Sequence, residues 1–381
     1  MVRFAQLPPD FWREFKQWRS VTGVLSGESP PGNFVGSVGY PVLNVGALTT
    51  NEDAQVLDSP EAWYRMGLGQ WDIVKFRMKL VLARTKVNVK DVNNPLVRKI
   101  QELSISRKPV DVEVRLRGPA PRLMADGYHA PLGVVAIMDS LRITSNVSAE
   151  RVVERLINDA DVDARTAVIE LYRAGIPISR IQRMFSVGLL GNARSRRLVP
   201  TRWSITAVDS IVGDELRSGI KDYDWINNYE IHRMSYMGNN YVILLIPGPW
   251  SYELIEVKMP GSVWNRSGDK PRIYVDREGT MGMRKYAEET GGAFYAIRLG
   301  VLEYLERIRR QATVVAIREV TPDYKVPVGI WQAREAVRNG MGKDVVRFSD
   351  LNEAINYTNQ VLITRKLWTK YTTNLRQSRL M

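Results

Sequence analysis

The sequence predicts a mixed α/β protein of the α+β class, with a mostly helical N-terminal part followed by an α+β part that contains an antiparallel sheet. Three observations predict it. Residues 148–172 carry apolar side chains at helical spacing, Val110 to Leu116 alternates with a period of two, and from residue 203 onward strand-like runs follow one another. Regular βαβ alternation, the mark of a helix-wound parallel sheet, is absent.

Taken in order, Phe11-Trp12-Arg13-Glu14-Phe15-Lys16-Gln17-Trp18-Arg19 reads as a short aromatic and basic helix within residues 11–20. The Gly/Pro-rich run 23–46 reads as an ordered loop with short extended pieces. Its glycines fit structural turns or a backbone that lets a ligand approach closely. A helix starts at residues 59–63, because Ser59 can cap it, Pro60 suits the first turn and Glu61 favours the helix dipole. Trp71 to Leu82 continues helically, and Val110 to Leu116 is a strand with one wet face. Leu132 to Met138 supplies a helix or a strand. In 148–172, Ala164, Ala167, Val168, Leu171 and Ala174 share one side. Asp159, Asp161 and Asp163 sit where that segment begins, as caps or as ligands for a hard cation. Tyr229 to His232, Asn240 to Ile246, Trp250 to Met259 and Arg272 to Val275 read as consecutive antiparallel strands. Residues 284–311 read as a helix broken at Gly291-Gly292, 312–320 as a strand and 329–339 as a helix. The expected domains are residues 1–200, 201–360 and a basic tail, 361–381.

A chain of 381 residues with 44% hydrophobic and 25% charged residues can bury a sizeable core. A formal charge of +13 points to an anionic partner, with nucleic acid before an anionic membrane. No apolar run reaches the roughly 18 residues that span a bilayer, and the N-terminus lacks the apolar centre of a secretory signal. A cytoplasmic protein with no membrane partner is expected; the oligomeric state is left open. The absence of cysteine and the presence of only His129 and His232 exclude disulfides, zinc fingers and iron–sulfur centres. A catalytic triad is poorly supported, and no phosphate-binding P-loop motif occurs. No metal ligand set is assigned.

The most informative stretch is Arg194-Ser195-Arg196-Arg197-Leu198-Val199-Pro200-Thr201-Arg202-Trp203-Ser204-Ile205-Thr206-Ala207-Val208-Asp209, with four arginines within nine residues. Guanidinium forks bind phosphate and an indole beside them can stack on a base, so Arg194, Arg196, Arg197, Arg202 and Trp203 are candidates for DNA contact. The competing reading is a basic loop that enters a strand and buries Trp203. A second candidate is Gly291-Gly292, which would open a helix whose N–H groups seat a phosphate, assisted by Arg284, Lys285 and Arg298. Trp331, Arg334 and Arg338 share a helical face and form a third, unless the arginine stems cover a core indole.

Carboxylates offer one enzymatic alternative. On a strand over 252–258, Glu256 and Lys258 would project together with Glu253 opposite. With Asp224 or Glu230 as a further acid, such a face could hold Mg2+ or Mn2+ and cleave a phosphodiester; a plain solvated strand face fits equally. No cofactor is otherwise expected.

Several motifs together resemble the archaeal Nre family of DNA-repair proteins. They are Val199-Pro200-Thr201-Arg202-Trp203-Ser204-Ile205-Thr206-Ala207-Val208-Asp209, Ser29-Pro30-Pro31-Gly32-Asn33-Phe34-Val35-Gly36, Gly39-Tyr40-Pro41-Val42-Leu43-Asn44-Val45-Gly46, Thr290-Gly291-Gly292-Ala293-Phe294-Tyr295-Ala296-Ile297-Arg298 and Val326-Pro327-Val328-Gly329-Ile330-Trp331-Gln332-Ala333-Arg334-Glu335. The resemblance runs in order from about residue 25 to about 338. It implies participation in DNA repair and binding to the replicative sliding clamp, and supplies no reaction. The cysteine-rich N-terminus of many relatives has no counterpart here. The last 21 residues hold five Arg/Lys and no acid, and end at Gln377-Ser378-Arg379-Leu380-Met381. Gln377 and Leu380 match the first half of a clamp-binding box, Gln-x-x-aliphatic followed by two aromatics; the match is partial. A scaffold that only docks repair factors is the remaining alternative.

Overall fold

A computed structural model describes residues 23–120, 128–283 and 285–377. The helix expected over residues 11–20, Arg284 and Leu380 lie outside the described residues. The chain divides into two compact units, residues 1–211 with 327–329, and 212–326 with 330–381.

The first unit carries a six-stranded sheet built from β1 (Gly23–Ser29), β2 (Asn33–Val35), β3 (Val42–Thr49), β4 (Val81–Asn88), β5 (Val110–Ala120) and β6 (Val134–Ile143), in the order β1-β5-β6-β4-β3-β2. Its helices are α1 (Pro60–Arg65), α2 (Gln70–Met78), α3 (Pro95–Ile105), α4 (Arg151–Asn158), α5 (Ala164–Arg173), α6 (Ile178–Ser186) and the first half of α7 (Thr201–Ile220). The Gly/Pro-rich run 23–46 is thus largely strand. Gly46 explains part of this: a Cβ there would stand 2.4 Å from the Ala83 carbonyl oxygen of the neighbouring strand. The helix expected to reach Leu82 stops at Met78, and residues 81–88 join the sheet. Buried Leu43, Val45, Ala47, Val81, Ala83 and Val87 supply one apolar face there, so tertiary burial overrides a helical reading. Of the expected apolar stripe on α5, Ala167, Val168 and Leu171 are buried, while Ala164 and Ala174 are not. Asp163 caps α5 by accepting the N–H of Thr166, and Asp159 holds the turn between α4 and α5 by accepting the N–H groups of Asp161 and Val162.

The second unit has β7 (Tyr229–Tyr236), β8 (Asn239–Ile246), β9 (Ser251–Lys258), β10 (Arg272–Glu278), β11 (Thr313–Val320) and β12 (Val346–Phe348), in the order β10-β9-β11-β8-β7-β12. Helices α8 (Gly292–Ile308), α9 (Trp331–Gly340), α10 (Leu351–Val361) and α11 (Asn374–Gln377) complete it. The expected strands are present, but β8 and β9 do not pair. β11 lies between them, antiparallel to β8 and parallel to β9. Both sheet faces are covered. Val242, Leu244, Ile255, Val257, Val315 and Ile317 pack with Ile355, Leu362, Trp368 and Leu375 on one side. On the other, Tyr252 meets Phe294 of α8 edge to face. Among the described residues, no helix is long and apolar enough to cross a membrane.

Candidate nucleic-acid interface

The arginine-rich stretch is a laced loop that opens a helix, not a strand. Arg196 lies inside the lacing: its guanidinium donates to the carbonyls of Gly191, Ile157 and Asp159 at 2.7–2.8 Å, closing the C-terminal end of α4. Leu198 is buried, and its N–H bonds the Val89 carbonyl at 2.8 Å. Val89 in turn donates to the Pro41 carbonyl at 2.9 Å. Pro200 accepts from Trp203 and Ser204, so α7 begins there with Trp203 in its first turn. The Val35 N–H bonds Thr201 Oγ1 at 2.8 Å, tying the segment after residue 29 to the start of α7 across 166 residues of sequence.

Trp203 points out and is 49% exposed. Its ring centroid is 6.1 Å from that of Tyr40, itself 54% exposed and next to a cis Pro41. The Arg202 guanidinium sits 4.3 Å from the centre of the Tyr128 ring, a cation–π contact. Arg194 and Arg197 are exposed on the loop before the helix, and Val38 is 83% exposed beside Tyr40. The carboxylate that closes the motif turns inward: Asp209 is buried and accepts from Gln182 Nε2 at 3.0 Å. The surface therefore offers two exposed aromatic rings at the start of α7, with Arg194 and Arg197 exposed on the loop that leads into it and the acid of the motif turned inward.

The other candidates for phosphate contact are interior. Arg298 is 1% exposed, bonding Glu278 at 2.9–3.0 Å and Asp214 at 2.8 Å. Gly291 and Gly292 are buried; Gly291 has φ 57° and its carbonyl accepts from Phe294. The turn before α8 already holds a carboxylate, since Asp276 Oδ2 takes the N–H and hydroxyl of Thr290 at 2.6 and 2.7 Å. Trp331 and Arg334 are buried in α9, with Arg334 3.6 Å from Glu335. α8 is buried nearly all round, so Arg298 is inside together with the apolar residues Phe294, Ile297, Val301 and Leu305.

The acidic strand is likewise committed to structure. Glu253 is fully buried and accepts from the Thr372 hydroxyl, from the backbone and hydroxyl of Thr373, and from Arg277. Glu256 and Lys258 do share a face, 3.2 Å apart, as the strand period requires. Glu256 also pairs with buried Arg318 at 2.6 Å, and the Lys258 ammonium lies over the Tyr274 ring. Asp224 is exposed and paired with Arg310, while Glu230 bonds Tyr304 and Arg347 at 2.9 Å each. Burial tends to raise the Glu230 carboxyl, but hydrogen bonds from His232, Tyr304 and Arg347 prevail and hold it at about 2. The acids are thus separated by the sheet or engaged with cations. Among the described residues, no group of three or more His, Asp or Glu could hold a metal ion.

The family model described as Archaeal Nre, N-terminal, matches residues 11–265, and that described as Archaeal Nre, C-terminal, matches residues 278–380. The chain belongs to the archaeal Nre family. It is 38% identical over 363 residues to the protein named DNA repair protein NreA of Haloferax volcanii, covering 93% of this chain and 86% of that one. It is 35% identical over 344 residues to DNA repair protein NreB of Archaeoglobus fulgidus, covering 90% and 86%. A second Archaeoglobus fulgidus protein, DNA repair protein NreA, is 35% identical over 330 residues, covering 86% and 82%. No solved structure matches the chain. In this Nre chain the motifs at 29–46 and 199–209 meet around Thr201, although sequence reading assigned contact only to the second. Trp203 is a candidate from the sequence, whereas Tyr40 stands in the first motif with no role assigned, because nothing local to either ring predicts their approach.

Proposed function

We propose that this Nre chain acts in DNA repair by binding DNA through the surface of Arg194, Arg197, Arg202, Trp203 and Tyr40. The observation that carries this reading is the exposed Trp203–Tyr40 pair, at the end of a loop that exposes Arg194 and Arg197, on a chain of formal charge +13. Indoles cost free energy when left in water, and guanidiniums beside them suit a polyanion with π faces. The names and similarity of the relatives support the repair role.

The test is binding of labelled DNA by the wild type and by Arg197→Ala/Arg202→Ala. Removing two phosphate contacts should weaken binding and lower the slope of log K against log salt by about 1.4–1.8. An unchanged affinity and slope would remove this surface from the function. For the repair role, the wild-type gene should restore survival of DNA damage to cells that lack it, and this variant should do so poorly. Recruitment by a sliding clamp belongs to the same proposal through Gln377 and Leu380. Co-purification with the clamp that Gln377→Ala/Leu380→Ala abolishes is the expected result.

A further inference from the structure

We infer that the open half of the first unit's sheet extends this surface into a track for single-stranded DNA, an inference that rests on the DNA-binding reading above.

One sheet face is divided into two halves. At one end, Phe34, Leu48, Leu57, Leu80, Leu82, Leu132 and Val135 form a buried cluster against Phe76. At the other end the same face is exposed. Asn44 pairs with Lys86 and Val42 with Asn88. Arg84 pairs with Ile137, which pairs in turn with Arg117, and Arg115 pairs with Ser140. Paired residues project to the same side of a sheet. Their exposure agrees with this, since Val42, Lys86, Asn88, Arg115, Arg117, Ile137 and Ser140 are all exposed while Leu43, Val87, Leu116 and Met138 between them are buried.

The face therefore carries the cations Arg84, Lys86, Arg115 and Arg117 with the apolar side chains of Val42 and Ile137 among them, groups that suit phosphates and bases respectively. The acids on it are Asp111, exposed opposite Glu28 of β1, and Asp139 and Glu113, in solvent-exposed pairs with Arg117 at 3.3 Å and Arg142 at 3.9 Å. Such pairs contribute little and exchange readily for phosphate. The aromatic pair adjoins the track, because Tyr40 lies two residues before Val42 at the start of β3. The hydrogen bonds Leu198 to Val89 and Val89 to Pro41 join the arginine loop to the same end.

Dimensions favour an unpaired strand. From β5 through β6 and β4 to β3 is three strand spacings, about 14 Å before side chains are added. A platform of that width does not enter a major groove about 12 Å across, which admits a helix or a two-stranded ribbon. Bases in a duplex are stacked on one another and cannot lie on Trp203, Tyr40 or Ile137, whereas those of a single strand can.

The experiment compares a fluorescent single-stranded 20-mer with a blunt duplex of the same sequence, using fluorescence anisotropy, the full chain and a salt series. The single strand should bind at least tenfold tighter. Lys86→Ala/Arg117→Ala, both surface changes, should lower the single-strand salt slope by about 1.4. Tyr40→Ala/Trp203→Ala should weaken the single strand tenfold or more with the slope kept, and circular dichroism should report unchanged folding for both. Duplex binding as tight as or tighter than single-strand binding overturns the track and leaves the DNA-binding reading intact. So does a single-strand affinity and slope indifferent to Lys86→Ala/Arg117→Ala. Binding of neither DNA overturns both.

Discussion

Arg196 and Arg197 are neighbours in sequence with opposite fates. Arg196 bridges three carbonyls, and hydrogen bonds from a charged donor are worth about 1.5–3 kcal/mol. Arg196→Ala should therefore lower the urea midpoint by a stability loss of about that size. Arg197, exposed on the same loop, should change stability by less than about 0.5 kcal/mol on conversion to Ala. Equal midpoints for the two variants would refute the assignment. Glu230 gives the pH dependence at this scale. Its carboxyl is held at about 2 in the fold against an ordinary 4.5, so it contributes stability that is complete above about 4.5. That contribution is lost as pH falls towards 2. Glu230→Gln should reduce stability at pH 7 and flatten the acid limb between pH 4.5 and 2, as followed by thermal unfolding across that range.

At the scale of elements, β9 shows what a strand's period determines. Alternation places Glu256 and Lys258 on one face and Glu253 on the other, and the structure agrees. What it does not determine is that both faces are covered, which turns a solvated acidic strand into two internal anchors. Glu253 receives the hydroxyl of Thr372 and the N–H groups of Thr373 and Asn374 ahead of α11. Glu253→Ala would leave several buried donors without an acceptor, at a cost of about 1–3 kcal/mol for each. Limited proteolysis should then cut within residues 362–377 faster than in the wild type; an unchanged rate would mean the segment is held by its apolar contacts alone. α7 makes the converse point. The segment read as a loop entering a strand is a helix because Pro200 suits a helix start and Ile205, Val208 and Val212 fall on one buried side at helical spacing.

At the scale of the whole molecule, the formal charge of +13 sets the expectation for how DNA binding responds to salt. If Arg197, Arg202, Lys86 and Arg117 each neutralise one phosphate of a single strand, raising salt from about 50 to about 200 mM should weaken binding about 50-fold. A nearly flat titration would place the cations elsewhere. Some arginines are nevertheless interior: Arg77, Arg180, Arg298, Arg318 and Arg334 are all buried. Arg77 and Arg183 both pair with Asp58, Arg180 with Glu150, and Arg318 with Glu256. Buried acids, among them Asp58, Asp209, Glu230, Glu253 and Glu256, offset them, so it is the arginine count and not the net charge that overstates the cationic surface, and sequence counting cannot separate the two populations.

By itself, the sequence determined the α+β class, the strands β5, β7, β8, β9, β10 and β11, the apolar side of α5, and membership of the Nre family through its motifs. Each rests on periodicity or wording within a few tens of residues. Only the tertiary structure decided that Arg298, Trp331, Arg334 and Glu253 are internal, that β11 separates β8 from β9, and that residues 81–88 complete a sheet. It alone set Tyr40 against Trp203, 163 positions apart in sequence. The physical reason is that periodicity says which residues share a face, whereas exposure depends on which distant element packs on that face.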